Sequence, residues 1–291
     1  MNDYIIASVS TADLPREFFE EHNVPFISYT YTMDGKVYED DCRESTRQET
    51  YQKMRAGTFL NTAMINKANY YDFFKKLMSE GKNVIFLDMS RPMSSSYIYA
   101  EEAAKQIQEE FPDKQFYAMD TRCVSGGLGV LVENMVYLRE EGKSFEEVIE
   151  WGESNKLKIM HHFTVDDLNY LKRGGRVSNA SAMVGSLLSI KPVLYVPDDG
   201  TLTVSKKVRG RKAALRQMQE NIKNDLVAPD GQTIRILGAD CLKDAELMRD
   251  WFLEEFPTLK EVIITSLGVI IGAHCGPGLL TIFYFGDARK A

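Results

Sequence analysis

Residues 171–215 read LKRGGRVSNASAMVGSLLSIKPVLYVPDDGTLTVSKKVRGRKAAL. A basic glycine turn, Arg173-Gly174-Gly175-Arg176, leads into a run of small and apolar residues with the character of a helix. Lys191-Pro192 then opens an apolar strand that turns at Asp199-Gly200, and a second basic cluster, Arg209-Gly210-Arg211-Lys212, begins the next helix. The stretch is an apolar wall with cationic edges. Met183, Val184, Leu187 and Leu188 offer an apolar slot, and the small Gly185 and Ser186 leave room beside it. The same side chains also serve plain core packing.

Upstream, strand-like and helix-like patterns alternate. Residues 4–9 read as a buried strand closed by the turn at 10–15, and residues 24–32 and 36–38 flank Asp34-Gly35, a hairpin signal. Helices are expected at 46–56, capped by Ser45 or Thr46, and at 66–80, 96–111 and 127–139, with strands at 83–89 and 115–120. This rhythm implies parallel strands with crossover helices. After Trp151 it changes. Strands at 157–164, 193–196, 201–204, 234–237, 262–266 and 279–285 are joined by tighter turns, with helices at 165–171, 206–224 and 242–256, as in a mixed or antiparallel sheet. The fold class is therefore α/β. A parallel-sheet α/β domain over residues 1–155 is followed by a second α+β domain over 156–291 with a mixed sheet.

Bulk properties are compatible with this. The chain has 291 residues, 44% hydrophobic and 26% charged, with a net charge of -7, which argues against a general nucleic-acid binder. Cys42, Cys123, Cys241 and Cys275 form no CxxC pair, pointing to a reduced, cytoplasmic chain. The first residues lack a signal peptide's basic start, and no apolar run reaches the ~20 residues of a membrane span, so no stable membrane insertion is expected.

Three segments carry groups suited to an anion. Residues 89–97, MSRPMSSSY, join a strand to a helix, the edge where α/β sheets bind ligands. There Ser94 and Ser95 are candidates, although Ser95 or Ser96 is also suited to helix capping. Thr62 precedes the helix at 66. His274 lies in Ala273-His274-Cys275-Gly276-Pro277-Gly278, whose glycines permit close approach; a loop histidine there is more often a structural donor than a base. No GxSxG elbow or Walker A motif occurs, and Gly126-Gly127-Leu128-Gly129 lacks the last glycine of a dinucleotide fingerprint. His161 and His162, adjacent on a strand, point to opposite faces and make a poor metal pair.

Together these segments resemble the DegV family, bacterial proteins that bind a fatty acid and present it to a separate kinase. The opening at 10–15, Asp120, Gly127 and Gly129, residues 173–212, and His274-Cys275-Gly276-Pro277-Gly278 fit its pattern. Thr62 stands alone of its Thr-Ser-Gln-Pro element; Ser90, Ser94 and Tyr97 fit its serine loop, while Arg91, Pro92 and Ser95 depart. The resemblance implies a non-catalytic lipid-binding protein with no cofactor beyond a long-chain fatty acid. Thr62, Ser94, Ser95 and His274 would hold the carboxylate and Met183, Val184, Leu187 and Leu188 the acyl chain. Arg173, Arg209 and Arg211 would dock a fatty acid kinase that makes acyl-phosphate for phospholipid synthesis. Neutral hydroxyls rather than a cation are expected at the carboxylate, so that it stays nucleophilic. Competing readings are a Ser/His acyl hydrolase built on Ser94 and His274, and a sensor of another small apolar ligand.

Overall fold

Tyr4–Val9 (β1) is buried along its whole length, as a strand covered on both faces must be. In the computed structural model, which describes residues 4–176 and 190–290, it lies inside a four-stranded sheet of order β2-β1-β6-β7. Phe26–Ile27 (β2), Asn83–Asp88 (β6) and Phe116–Asp120 (β7) all run parallel to their neighbours. Lys67–Met78 (α3) and Ser96–Glu110 (α4) make the crossovers. A small antiparallel sheet of Lys36–Glu39 (β4), Thr30–Met33 (β3) and Asn61–Ala63 (β5) extends this half. Asp34 and Gly35, both at positive φ, close its hairpin as the sequence predicts.

The second sheet has six strands in the order β10-β9-β8-β13-β11-β12: Thr203–Arg209, Ile190–Tyr195, Ile159–Thr164, Leu280–Phe285, Thr233–Gly238 and Glu261–Ser266. Only β11 and β12 pair in parallel. The class expected from the sequence, a parallel-sheet α/β half and a half with a mixed sheet, is the architecture found.

Gly126–Glu140 (α5) lies between the two large sheets, touching β1 and β6 on one side and β8, β11 and β13 on the other. Its first turn can do so because it has no side chains: a Cβ on Gly126 would stand 2.7 Å from the Phe283 ring and one on Gly127 2.1 Å from His161. On the other face of the second sheet, Arg211–Asp225 (α8) and Leu242–Glu255 (α9) bury a separate core around Met218, Ile222, Met248 and Phe252. No helix among the described residues is long and apolar enough to cross a membrane.

The local readings fail in several places. The strand expected at 24–32 divides between two sheets, because β2 follows β1 while β3 pairs with β4 and β5. The strand β10 continues to Arg209, paired with Ile190, so the helix expected from 206 begins only at Arg211, after Gly210 at φ +87°. Neither Ser45 nor Thr46 caps Glu44–Arg55 (α2), whose N-cap is Arg43. Phe145–Asn155 (α6) was not anticipated, although Ser144 and Glu147 form a capping box.

Candidate functional site

The two halves meet along α2. Arg47, 1% exposed, donates to the carbonyls of Asp13 and Leu14 in one half and of Ser266 in the other. Tyr51 Oη lies 3.1 Å from the carbonyl oxygens of both Leu267 and Gly268. These contacts seat Val269–Cys275 (α10) against the first half. Gly268 and Gly272 let it approach, since a Cβ would lie 1.9 Å from Asp13 Oδ1 and 2.1 Å from Tyr51 Oη respectively. His274 therefore sits in the last turn of a short helix rather than in the loop the sequence suggested. Seven residues are too few to show a helical period.

Beside α10 a cavity opens between the halves. Met89, Met93, Leu202, Ile270 and Phe283 are among its apolar lining residues. Thr62, Ser94, His274 and Arg176 also line it, brought by β5, the β6–α4 loop, α10 and the end of Leu168–Gly174 (α7).

Thr62 Oγ1 and His274 Nε2 are hydrogen-bonded at 2.9 Å. Burial, and then the Arg176 charge, push the His274 pKa down to about 4, so the imidazole is neutral at neutral pH. Gly174 packs directly under it; a Cβ there would be 2.9 Å from Nδ1. Ser94, 7% exposed, has its Oγ 3.3 Å from Tyr29 Oη and accepts the Ser96 N–H at 3.3 Å. Among the described residues no hydrogen bond joins Ser94 to His274, so the geometry of a Ser/His nucleophile pair is not assembled.

The remaining sequence candidates fall elsewhere. Ser95 is exposed and outside the cavity lining. It is the N-cap of α4, yet neither its side chain nor that of Ser96 caps the helix; Ser96 Oγ instead accepts the Ile65 N–H. Met183, Val184, Leu187 and Leu188 lie outside the described residues. Arg173 is exposed and stacks on Phe59 and Tyr170, 3.8 and 4.6 Å from the ring centroids. Arg209 is exposed at the end of β10. Arg211 is not a free surface cation: its Nε is 2.7 Å from Asp244 and its Nη1 3.5 Å from Asp166. His161 and His162 do face opposite ways, one packed on Phe283 in the cavity and the other bonded to Asp225.

Arg176 and Tyr29 are among the lining residues that sequence reasoning did not assign to the site. Arg176 is exposed and lines the cavity, donating to the carbonyls of Met93 and Gly174, so a cation is among the lining residues. Gly175, at φ +66°, turns the chain back after α7 and returns Arg176 to the cavity; the glycine pair was the available signal. Tyr29 carried no signal, because a buried aromatic reads as core.

The chain belongs to the DegV family, described as uncharacterised proteins, whose pattern it matches over residues 5–287. It is 35% identical, over the full length of both chains, to a DegV domain-containing protein of Clostridium perfringens. Among solved structures it is similar to a fatty-acid-binding DegV family protein of Thermus thermophilus, with a TM-score of 0.87 and 26% identity, covering 98% of this chain and 99% of that one. A fatty-acid-binding DegV family protein of Streptococcus agalactiae gives a TM-score of 0.85 and 28% identity, covering 99% and 100%.

Proposed function

We propose that this protein binds a long-chain fatty acid between its halves, which we divide at residues 155 and 156, with the carboxylate at Thr62, Ser94 and His274. The observation that carries the reading is the cavity itself: an apolar space with hydroxyls, a neutral imidazole and Arg176 among its lining. The fatty-acid-binding relatives support it. A sixteen-carbon acid buries about fourteen methylenes at ~0.8 kcal/mol each, roughly 11 kcal/mol, against an association cost of ~4–15 kcal/mol. The tail thus supplies most of the affinity. Hydrogen bonds to the carboxylate, about 1.5–3 kcal/mol each, keep its charge from being stranded and fix its direction. Arg176, among the lining residues, adds long-range attraction.

In this reading the protein is a cytoplasmic carrier without turnover of its own. A fatty acid kinase phosphorylates the presented acid to acyl-phosphate for phospholipid synthesis. Exposed Arg173, beside Phe59, itself 54% exposed, and Arg209 are the docking cations; Arg211 is withdrawn from that role because Asp166 and Asp244 hold it.

The test is direct. Protein purified from cells is denatured, extracted and analysed by mass spectrometry, and the delipidated protein is titrated with palmitate and oleate. Co-purified long-chain acid and saturable binding are expected, with at least a several-fold loss of affinity in Thr62→Ala and Ser94→Ala. Absence of both acid and binding overturns the reading. Sustained hydrolysis of a long-chain ester, lost in Ser94→Ala, favours the hydrolase instead.

A further inference from the structure

The walls of the cavity are fastened in different ways. Phe163 and Phe283 come from β8 and β13, which are paired on both sides within the sheet. Ile270 and His274 come from α10, whose approach to the first half is fixed by Arg47 and Tyr51. Val196 and Leu202 come from the two ends of the turn that joins β9 to β10, the hairpin at one edge of the sheet. The ladder of that hairpin stops at Tyr195 and Thr203, and residues 196–202 reach across to the first half.

Two side chains of the first half hold the tip of this turn. Ser90 Oγ donates to the Gly200 carbonyl and Arg122 Nη1 to the Asp199 carbonyl, both at 2.7 Å. Among the described residues no backbone-to-backbone hydrogen bond joins residues 196–202 to the first half. The approach is close: Gly200 lies at φ +78°, and a Cβ on it would stand 2.1 Å from Ser90 Oγ. Ser90 is fully buried, and its own carbonyl accepts the N–H groups of Met93 and Ser94. Arg122 is steadied by Asp120, 2.9 Å from its Nε.

The turn keeps its own shape without these two bonds. The Thr201 N–H and hydroxyl both donate to Asp199 Oδ1, and the Gly200 N–H donates to the Pro197 carbonyl. Its base is tied to the second half, where Arg289 Nη1 donates to the carbonyls of Val196 and Pro197. The result is a preformed tab on an edge hairpin, anchored at its base and fastened at its tip by two side chains. Segments fastened by so few bonds open locally at far lower cost than paired strands.

We propose that residues 196–202 are a latch between the halves, which Ser90 and Arg122 hold closed and whose release lets the ligand's tail in and out. Phe163, Leu171, Leu279 and Phe283 line the cavity and are buried, so a tail reaches them only when a wall gives way. The inference rests on the fatty-acid reading of the cavity and adds a step to it: exchange runs through the unlatched state. Neither Ser90 nor Arg122 is among the lining residues, so their bonds hold the empty and the filled protein alike. Weakening them changes how often the latch opens and leaves the affinity as it was. A wall that only packed on the ligand would behave differently, since its loss would speed release, leave uptake unchanged and raise Kd.

Stopped-flow mixing of delipidated protein with the fluorescent fatty acid cis-parinarate reads both directions of exchange. The parent's rate of uptake should level off as parinarate rises, at the rate of opening. Arg122→Ala, which truncates a partly exposed side chain, and Ser90→Ala should each raise that plateau and the release rate together, by about three- to tenfold. Their Kd should stay within about twofold of the parent's. Arg122→Ala decides alone if loss of the buried Ser90 hydroxyl unfolds the chain. Unchanged rates in the folded variants overturn the latch and leave the fatty-acid reading standing. So does a raised Kd with unchanged uptake, which makes the turn a plain wall. A folded parent that takes up no parinarate overturns both.

Discussion

His274 shows how a single side chain is tuned by what packs on it. Burial is the larger cause of its low pKa and the Arg176 charge the smaller. Removing the guanidinium in Arg176→Gln should therefore raise the His274 pKa from about 4, but leave it below the ordinary 6.5, as read by NMR titration of the ring proton. A value that does not move would mean that the charge does not reach the ring. Gly174→Ala tests the floor of the site. Its methyl would sit 2.9 Å from Nδ1 and 3.1 Å from Cβ of His274, and overpacking of this kind costs ~1–3 kcal/mol. Arg211 and Arg209 separate in the same way. Reversal of Arg211 to Glu sets a third carboxylate against Asp166 and Asp244 and should lower the melting temperature; the exposed Arg209→Glu should not. Residue identity pointed to His274, Thr62 and Ser94. It misjudged Arg211, because a basic cluster reads as surface until its acidic partners, at positions 166 and 244, are brought beside it.

At the level of elements, the helix α10 and the start of α5 are held by buried polar groups rather than by propensity. Ser125, the residue before α5, takes φ 56° and ψ −140°, strained for a non-glycine residue, and donates to Asp13 Oδ2 at 2.5 Å. Burial raises the Asp13 pKa to about 7, partly offset by Arg47 and Ser125. Asp88 is raised to a similar value. Both groups hold more protons in the folded than in the unfolded chain between about pH 4 and 7. Their joint effect is therefore to make the fold less stable as pH rises through that window, with no further loss above it. Thermal melts should give a lower melting temperature at pH 8 than at pH 6, and the gap should narrow in Asp13→Asn. An equal or larger gap in the variant would place the pH dependence elsewhere. The hairpin at Asp34-Gly35 and the parallel β-α rhythm were legible because they depend on neighbours in sequence. The extension of β10 to Arg209 was not: residues 206–209 join a strand only because residues 190–193 lie opposite them.

For the whole molecule, the cavity exists only because both halves supply its walls. Thr62 and Ser94 come from one and Leu202 and His274 from the other. A ligand held there stabilises the folded chain by RT ln(1 + [L]/Kd), ~2.7 kcal/mol at a hundredfold excess over Kd. Calorimetry should show palmitate raising the temperature of a single transition that includes both halves, with Arg47 and Tyr51 carrying the coupling. Two transitions, only one of them moved by palmitate, would assign the ligand to one half.

What the sequence determined by itself was local or compositional. The alternation of apolar strands with amphipathic helices set the α/β class, and the change of rhythm after Trp151 separated a parallel from a mixed sheet. The glycine-bearing turns at 173–176 and 276–278 marked where backbones approach. Tertiary structure alone decided which groups meet. Thr62 and His274 are 212 residues apart and share a hydrogen bond, as do Tyr29 and Ser94 and Tyr70 and Asp88. The physical reason is that a buried aromatic or carboxyl shows only its type in the sequence, whereas its hydrogen-bond partner is chosen by packing between elements distant along the chain.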